Sequence, residues 1–160
     1  MPGNLTQIVG ATWADPFSPR ASGLGLYKRT VAYTELFGGT QKTQVDLLAP
    51  SGVLVRVIDA WLLVGTGFTS GVGTSPKLAI GDDSAEESFT LYQIVTGTGW
   101  FGTSNGQKGS YLASPRTALV GALGMVPKLT LRCDADTGYI GNDLKAGTVT
   151  AFVSYQVINP

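Results

Sequence analysis

"VLVRVIDAWLLV", residues 53–64, is the longest apolar run of the chain, and Arg56 and Asp59 are its only charges. Its β-branched content and flanking glycines favour a buried strand over a helix. Trp61, inside that run, is expected in the core. Upstream, "LYKRTVAYTELF" (26–37) alternates in polarity and breaks at "GGT", and "TQVDLLA" (43–49) ends at the turn "PSG". Downstream, the Gly/Thr/Ser stretch "GTGFTSGVGTS" (65–75) reads as a loop leading to a short strand, "KLAIG" (77–81).

The same alternation of strand and turn continues to the end. "SFTLYQIV" (88–95) alternates, and a long loop over 96–117 precedes "ALVGAL" (118–123) and "KLTLRC" (128–133). A turn region follows over 134–147. In the closing strand, "TVTAFVSYQVI" (148–158), Val149, Ala151, Val153 and Tyr155 fall on one face and Thr150, Phe152 and Ser154 on the other. Eight or nine short strands separated by turn signals, with no convincing amphipathic helix, predict an all-β fold. The expected architecture is an antiparallel β-sandwich or barrel.

Composition agrees. Hydrophobic residues make up 43%, enough for a core, while charged residues stop at 14%, below the roughly 25% usual for soluble domains. Eleven basic and eleven acidic side chains balance, so neither nucleic acid nor an anionic membrane is an expected partner. No apolar run approaches the roughly 18 residues of a membrane span, and the start, "MPGNLTQIVGATW", lacks the features of a secretory signal. The single Cys133 is expected as a small buried hydrophobe in a protein made in a reducing cytoplasm.

Residues 1–25 differ from the rest. "ATWADPFSPRASGLG" has neither helical nor strand periodicity, its prolines hold the preceding residues extended, and it carries two isolated aromatics, Trp13 and Phe17. The expected organisation is therefore an extended N-terminal arm, 1–25, followed by a β-sandwich domain, 26–160. An arm left in solvent gains nothing from Trp13 and Phe17, so docking on its own chain or on a neighbour is favoured over a frayed terminus.

The absence of histidine removes the Ser–His and Cys–His dyads, the histidine general base and the ordinary zinc site. Gly102 to Gly106 spells G-x-S-x-G and Gly97 to Gly102 spells G-x-G-x-x-G. Both motifs need a helix that "TSNGQKG" will not start. Asp82, Asp83, Glu86 and Glu87 form an acidic stretch after "KLAIG". Calcium ligation, a glycosidase acid pair and a solvated turn are the three readings open to it, and its spacing matches no recognised calcium loop. Convergence with the acidic stretch at 134–143 would favour a cation. The expectation is no enzyme, no cofactor and no metal site. Trp100 and Phe101, placed mid-loop, are read with Trp13 and Phe17 as the candidate partner contacts.

"VLVRVIDAWLLV", a Gly/Thr loop with one Phe, "KLAIGDDSAEESF" and the ending "AGTVTAFVSYQV" together resemble small structural proteins of tailed bacteriophages. The resemblance covers about Val45 to Val95 and the last dozen residues. It implies a capsid decoration or cement protein with a jelly-roll-like β-sandwich, a homotrimer seated on the outside of the head. Its implied partners are the major capsid protein and its own copies, its location is the virion, and its arm reaches across the capsid surface. A receptor- or carbohydrate-binding sandwich of a tail or fibre, with Trp100 and Phe101 as a stacking platform, is the alternative, as is another head or tail subunit.

Overall fold

The computed structural model describes residues 24–36, 42–47, 54–70, 76–82, 85–102, 119–120, 128–132 and 144–159. Trp13, Phe17, Asp83, Cys133 and the acidic stretch 134–143 lie outside the described residues, as does nearly all of the N-terminal arm. Among the described residues there are nine strands: β1 (Leu24–Ala32), β2 (Lys42–Asp46), β3 (Leu54–Ser70), β4 (Lys77–Gly81), β5 (Gln93–Ile94), β6 (Gly99–Gly102), β7 (Leu119–Val120), β8 (Lys128–Arg132) and β9 (Leu144–Asn159). A 3-10 turn, Tyr33–Glu35, follows β1.

The strands form two antiparallel sheets. One runs β1-β9-β3-β6, with β7 added beside β3, and the other runs β2-β8-β4-β5. The pairs β4·β5, β3·β6, β2·β8 and β1·β9 are nested one inside the next along the chain. That is the connectivity of one long antiparallel hairpin rolled up on itself, which is a jelly roll. Side chains from both sheets meet in one core, among them Val57 and Val153 from the first and Val45, Ile80 and Leu129 from the second. The expected all-β sandwich is the observed fold.

In β9 the expected alternation holds. Val149, Ala151, Val153 and Tyr155 are buried, and Thr150, Phe152 and Ser154 are partly exposed. Burial pushes the phenols of Tyr155 and Tyr27 up to about 12, so both stay neutral at physiological pH. At one rim the Arg29 guanidinium of β1 bonds Glu35 at 2.7 Å and also the Asp46 carbonyl of β2. It thereby ties the two sheets together where β1 leaves the first.

Three differences from the sequence reading have physical causes. First, β3 runs through the expected loop to Ser70 and β9 starts inside the expected turn at Leu144, because the two segments pair with each other, Thr66 opposite Thr148 and Ser70 opposite Leu144. Ladder hydrogen bonds and Phe68, fully buried, compensate for the weak intrinsic strand preference of Gly and Thr-rich sequence. Second, the first half of 88–95 is irregular, and only Gln93–Ile94 forms a regular strand. Third, Trp61 is not in the core. Val57 pairs with Tyr155 and Asp59 with Ser154, which leaves Ile58 as an extra residue, a β-bulge. Inward positions are odd before it (Val55, Val57) and even after it (Ala60, Leu62, Val64). Trp61 therefore points outward.

Candidate functional site

The bulge, together with the strand order, builds an aromatic cluster on the outer face of the β1-β9-β3-β6 sheet. Across that face Lys28 stands opposite Phe152, Phe152 opposite Trp61, and Trp61 opposite Gly102. The Trp61 ring stacks on Phe152 with centroids 5.4 Å apart and planes 7° from parallel. From the β1 side, Lys28 Nζ approaches the Phe152 ring at 5.9 Å from its centroid. Phe152 thus has an indole on one side and an ammonium on the other. Each contact contributes about 0.5–1.5 kcal/mol.

One row along, Trp100 of β6 sits opposite Leu63 and tilts 38° against Phe152 at 5.6 Å. It remains 57% exposed, the most of any large apolar side chain among the described residues. Gly102 makes this packing feasible, since a Cβ there would lie 2.4 Å from Trp61 Cβ. The surround is polar: Thr30 and Thr150 hydroxyls bond each other at 2.9 Å, and Ser154 and Asp59 occupy the next row.

Of the four candidate contacts, the structure describes two and separates them. Trp100 and Phe101 lie on a short strand rather than mid-loop, so as successive strand residues they point to opposite faces. Trp100 faces out, and Phe101, opposite Leu62, packs against the core. A stacking platform made of these two rings is not formed. The ring that Trp100 meets is Phe152, which in turn stacks on Trp61. Phe152 was visible in the sequence as the one aromatic residue on the polar face of the closing strand; Trp61 was hidden by the bulge.

The acidic stretch is a self-bonded turn as far as it is described. Asp82 is buried and its Oδ1 accepts the Ala85 N–H at 2.8 Å, while the Asp82 N–H bonds the Ala85 carbonyl at 2.9 Å. Glu87 accepts the Tyr92 N–H at 2.6 Å and Glu86 accepts the Tyr92 hydroxyl at 2.5 Å. These carboxylates satisfy donors of their own turn, as Asx-type turns do. Among the described residues no group of three or more His, Cys, Asp or Glu side chains is placed to hold a metal ion. Asp82→Ala should therefore cost about 1–2 kcal/mol of stability, equally with and without chelator. A calcium-dependent rise in melting temperature that the variant loses would show a cation site instead.

No family model and no curated protein matches the chain. Solved structures do. A chain of the Cyanophage Pam1 capsid asymmetric unit superposes with a TM-score of 0.51 at 14% identity, over 84% of this chain and 86% of that one. A chain of the capsid of Ralstonia phage GP4 gives a TM-score of 0.54 at 14% identity, over 89% and 90%. The likeness is one of fold.

Proposed function

We propose that the protein is a structural component of a phage virion, a decoration or cement protein seated on the outside of the capsid. The observation that carries this reading is the match of its jelly roll, over 84% and 89% of the chain, to chains found in two phage capsids. The sequence resemblance to tailed-phage head proteins, drawn from different evidence, supports the same reading. In this role the major capsid protein is the partner, copies of the chain associate as a homotrimer, and no catalytic chemistry is required.

The mechanism is mass action. A protein that binds only the assembled lattice stabilises that lattice by its binding free energy. Several protomers held in one oligomer multiply weak contacts through effective concentration. An arm that reaches a neighbouring capsomer would convert seating into bridging.

Heads of the parent virion stripped of this protein provide the test. Added protein should sediment with them, saturate, and raise the temperature at which they release DNA by several degrees. Removal of residues 1–23, which stops short of β1, should weaken retention about tenfold, roughly 1.4 kcal/mol of binding. No binding to heads, with co-purification on tails instead, would replace this assignment with a tail role.

A further inference from the structure

We propose that residues 13–23 of the N-terminal segment fold back over the outer face of their own β1-β9-β3-β6 sheet, with Phe17 and Trp13 laid against the cluster of Trp100, Phe152 and Trp61. Three observations carry this.

The first is the size of the apolar patch. Its members are Trp100, Phe152, Trp61 and the half-buried Leu63, and its rim carries Lys28, Thr30, Thr150, Ser154 and Asp59, with Leu26 and Ile58 beside the last two. A stable contact between folded subunits takes about 20–30 residues a side. A patch a few side chains across suits one extended segment instead. The second is the orientation of the rings. Phe152 lies between Trp61 and Lys28, so it offers its edge rather than a face. A sugar ring lays its C–H face on an aromatic face; apolar side chains pack equally well on edges.

The third is where the segment joins the sheet. Leu24 opens β1, opposite Gln156, and the Lys28–Phe152–Trp61 row lies four residues further along the same strand. At about 3.3 Å per residue along a strand and about 4.8 Å between strands, Phe152 is roughly 14 Å from Leu24 and Trp61 roughly 16 Å. Phe17 is seven residues before Leu24 and Trp13 eleven, giving reaches of about 23 and 36 Å. Both suffice even after the chain reverses direction, for which "ASG" (21–23) supplies a glycine and a serine. Trp13 and Phe17 are also the only aromatics before Tyr27.

Tryptophan quenching in the free, full-length protein tests the proposal. In a Trp13→Phe background only Trp61 and Trp100 report. Deleting residues 1–23 should raise the acrylamide quenching constant at least twofold and shift emission to the red. If truncation disturbs folding, Phe17→Ser in the same background gives a second reading, with an increase of about half that size. Equal quenching in all three proteins overturns the proposal. So does protection that disappears on dilution in step with dissociation of an oligomer, which would assign the cover to a second copy. The outcome is independent of capsid binding, since no heads are present: a chain can fail to bind heads and still shield Trp100, or the reverse.

Discussion

A chain lacking both Ile58 and Asp59 should not fold, whereas a chain lacking Ile58 alone should. Ile58 is the bulged residue of β3, 47% exposed and without a cross-strand partner in the β9 ladder. It is an extra residue: Val55 and Val57 point inward before the bulge and Ala60, Leu62 and Val64 after it. Without Ile58, Asp59 follows Val57 directly, so plain alternation keeps Asp59 outward and Ala60 inward, and the ladder with β9 becomes regular. Without both residues Ala60 follows Val57, and one of the two runs must turn outward, because side chains alternate along a strand.

If the downstream run flips in the double deletion, Leu62 and Val64 leave the core at about 1.5–3 kcal/mol each, and Trp61 overpacks the space they left at about 1–3 kcal/mol. If the upstream run flips, Val55 and Val57 are exposed and Arg56 is buried at a similar cost. Either total, of the order of 4–9 kcal/mol, is comparable with the whole stability of a typical domain, about 5–15 kcal/mol. Far-UV circular dichroism with thermal scanning should show a cooperative transition close to the parent's for the Ile58 deletion and none for the double deletion. Ile58→Ala should lose less than about 1 kcal/mol. A double deletion melting within about 5 °C of the parent would refute the parity account, and so would an Ile58 deletion that does not fold.

Gly147→Ala should cost about 3–5 kcal/mol. Gly147 lies in β9 on the core-facing side at φ +140°, and a Cβ there would stand 2.3 to 2.7 Å from Phe68 ring atoms. Carbon atoms attract best at about 3.5–4.0 Å, so the fully buried Phe68 would have to leave its place. Backbone strain of about 1–3 kcal/mol adds to about 1–3 kcal/mol of overpacking. Gly99 separates the two terms, since its φ is +142° but nothing lies within 4 Å of a Cβ there. Gly99→Ala should show the backbone cost alone. In denaturant melts the Gly147 variant should lose at least about 2 kcal/mol more than the Gly99 variant. Phe68→Leu should recover part of that difference when combined with Gly147→Ala, a coupling of about 1 kcal/mol or more. Equal losses at the two glycines would mean that the Phe68 contact carries nothing.

Much of the fold was legible because its signals are local. The β4 strand over 77–81, the two-faced closing strand and the absence of amphipathic helices all follow from period-two patterning within a few residues. The acidic turn was legible as a turn for the same reason. What escaped depended on partners far away in the chain. The Gly/Thr-rich ends of β3 and β9 have little strand preference and become strands because they pair with each other. Trp100 lies on a strand only because β3 is beside it.

The sequence by itself determined that this chain is all-β and that it lacks the side chains for histidine-based catalysis. These follow from composition and from alternation, which every segment carries in its own residues. Only the tertiary structure decided which aromatic residues share the outer face. A single unpaired residue, Ile58, reverses the sidedness of half of β3, and the ladder with β9 fixes where that happens. Trp61 thereby leaves the core and stacks on Phe152, 91 positions further along the chain, which Trp100 also meets. Parity is counted along a strand, but the place where the count slips is set by the strand across from it.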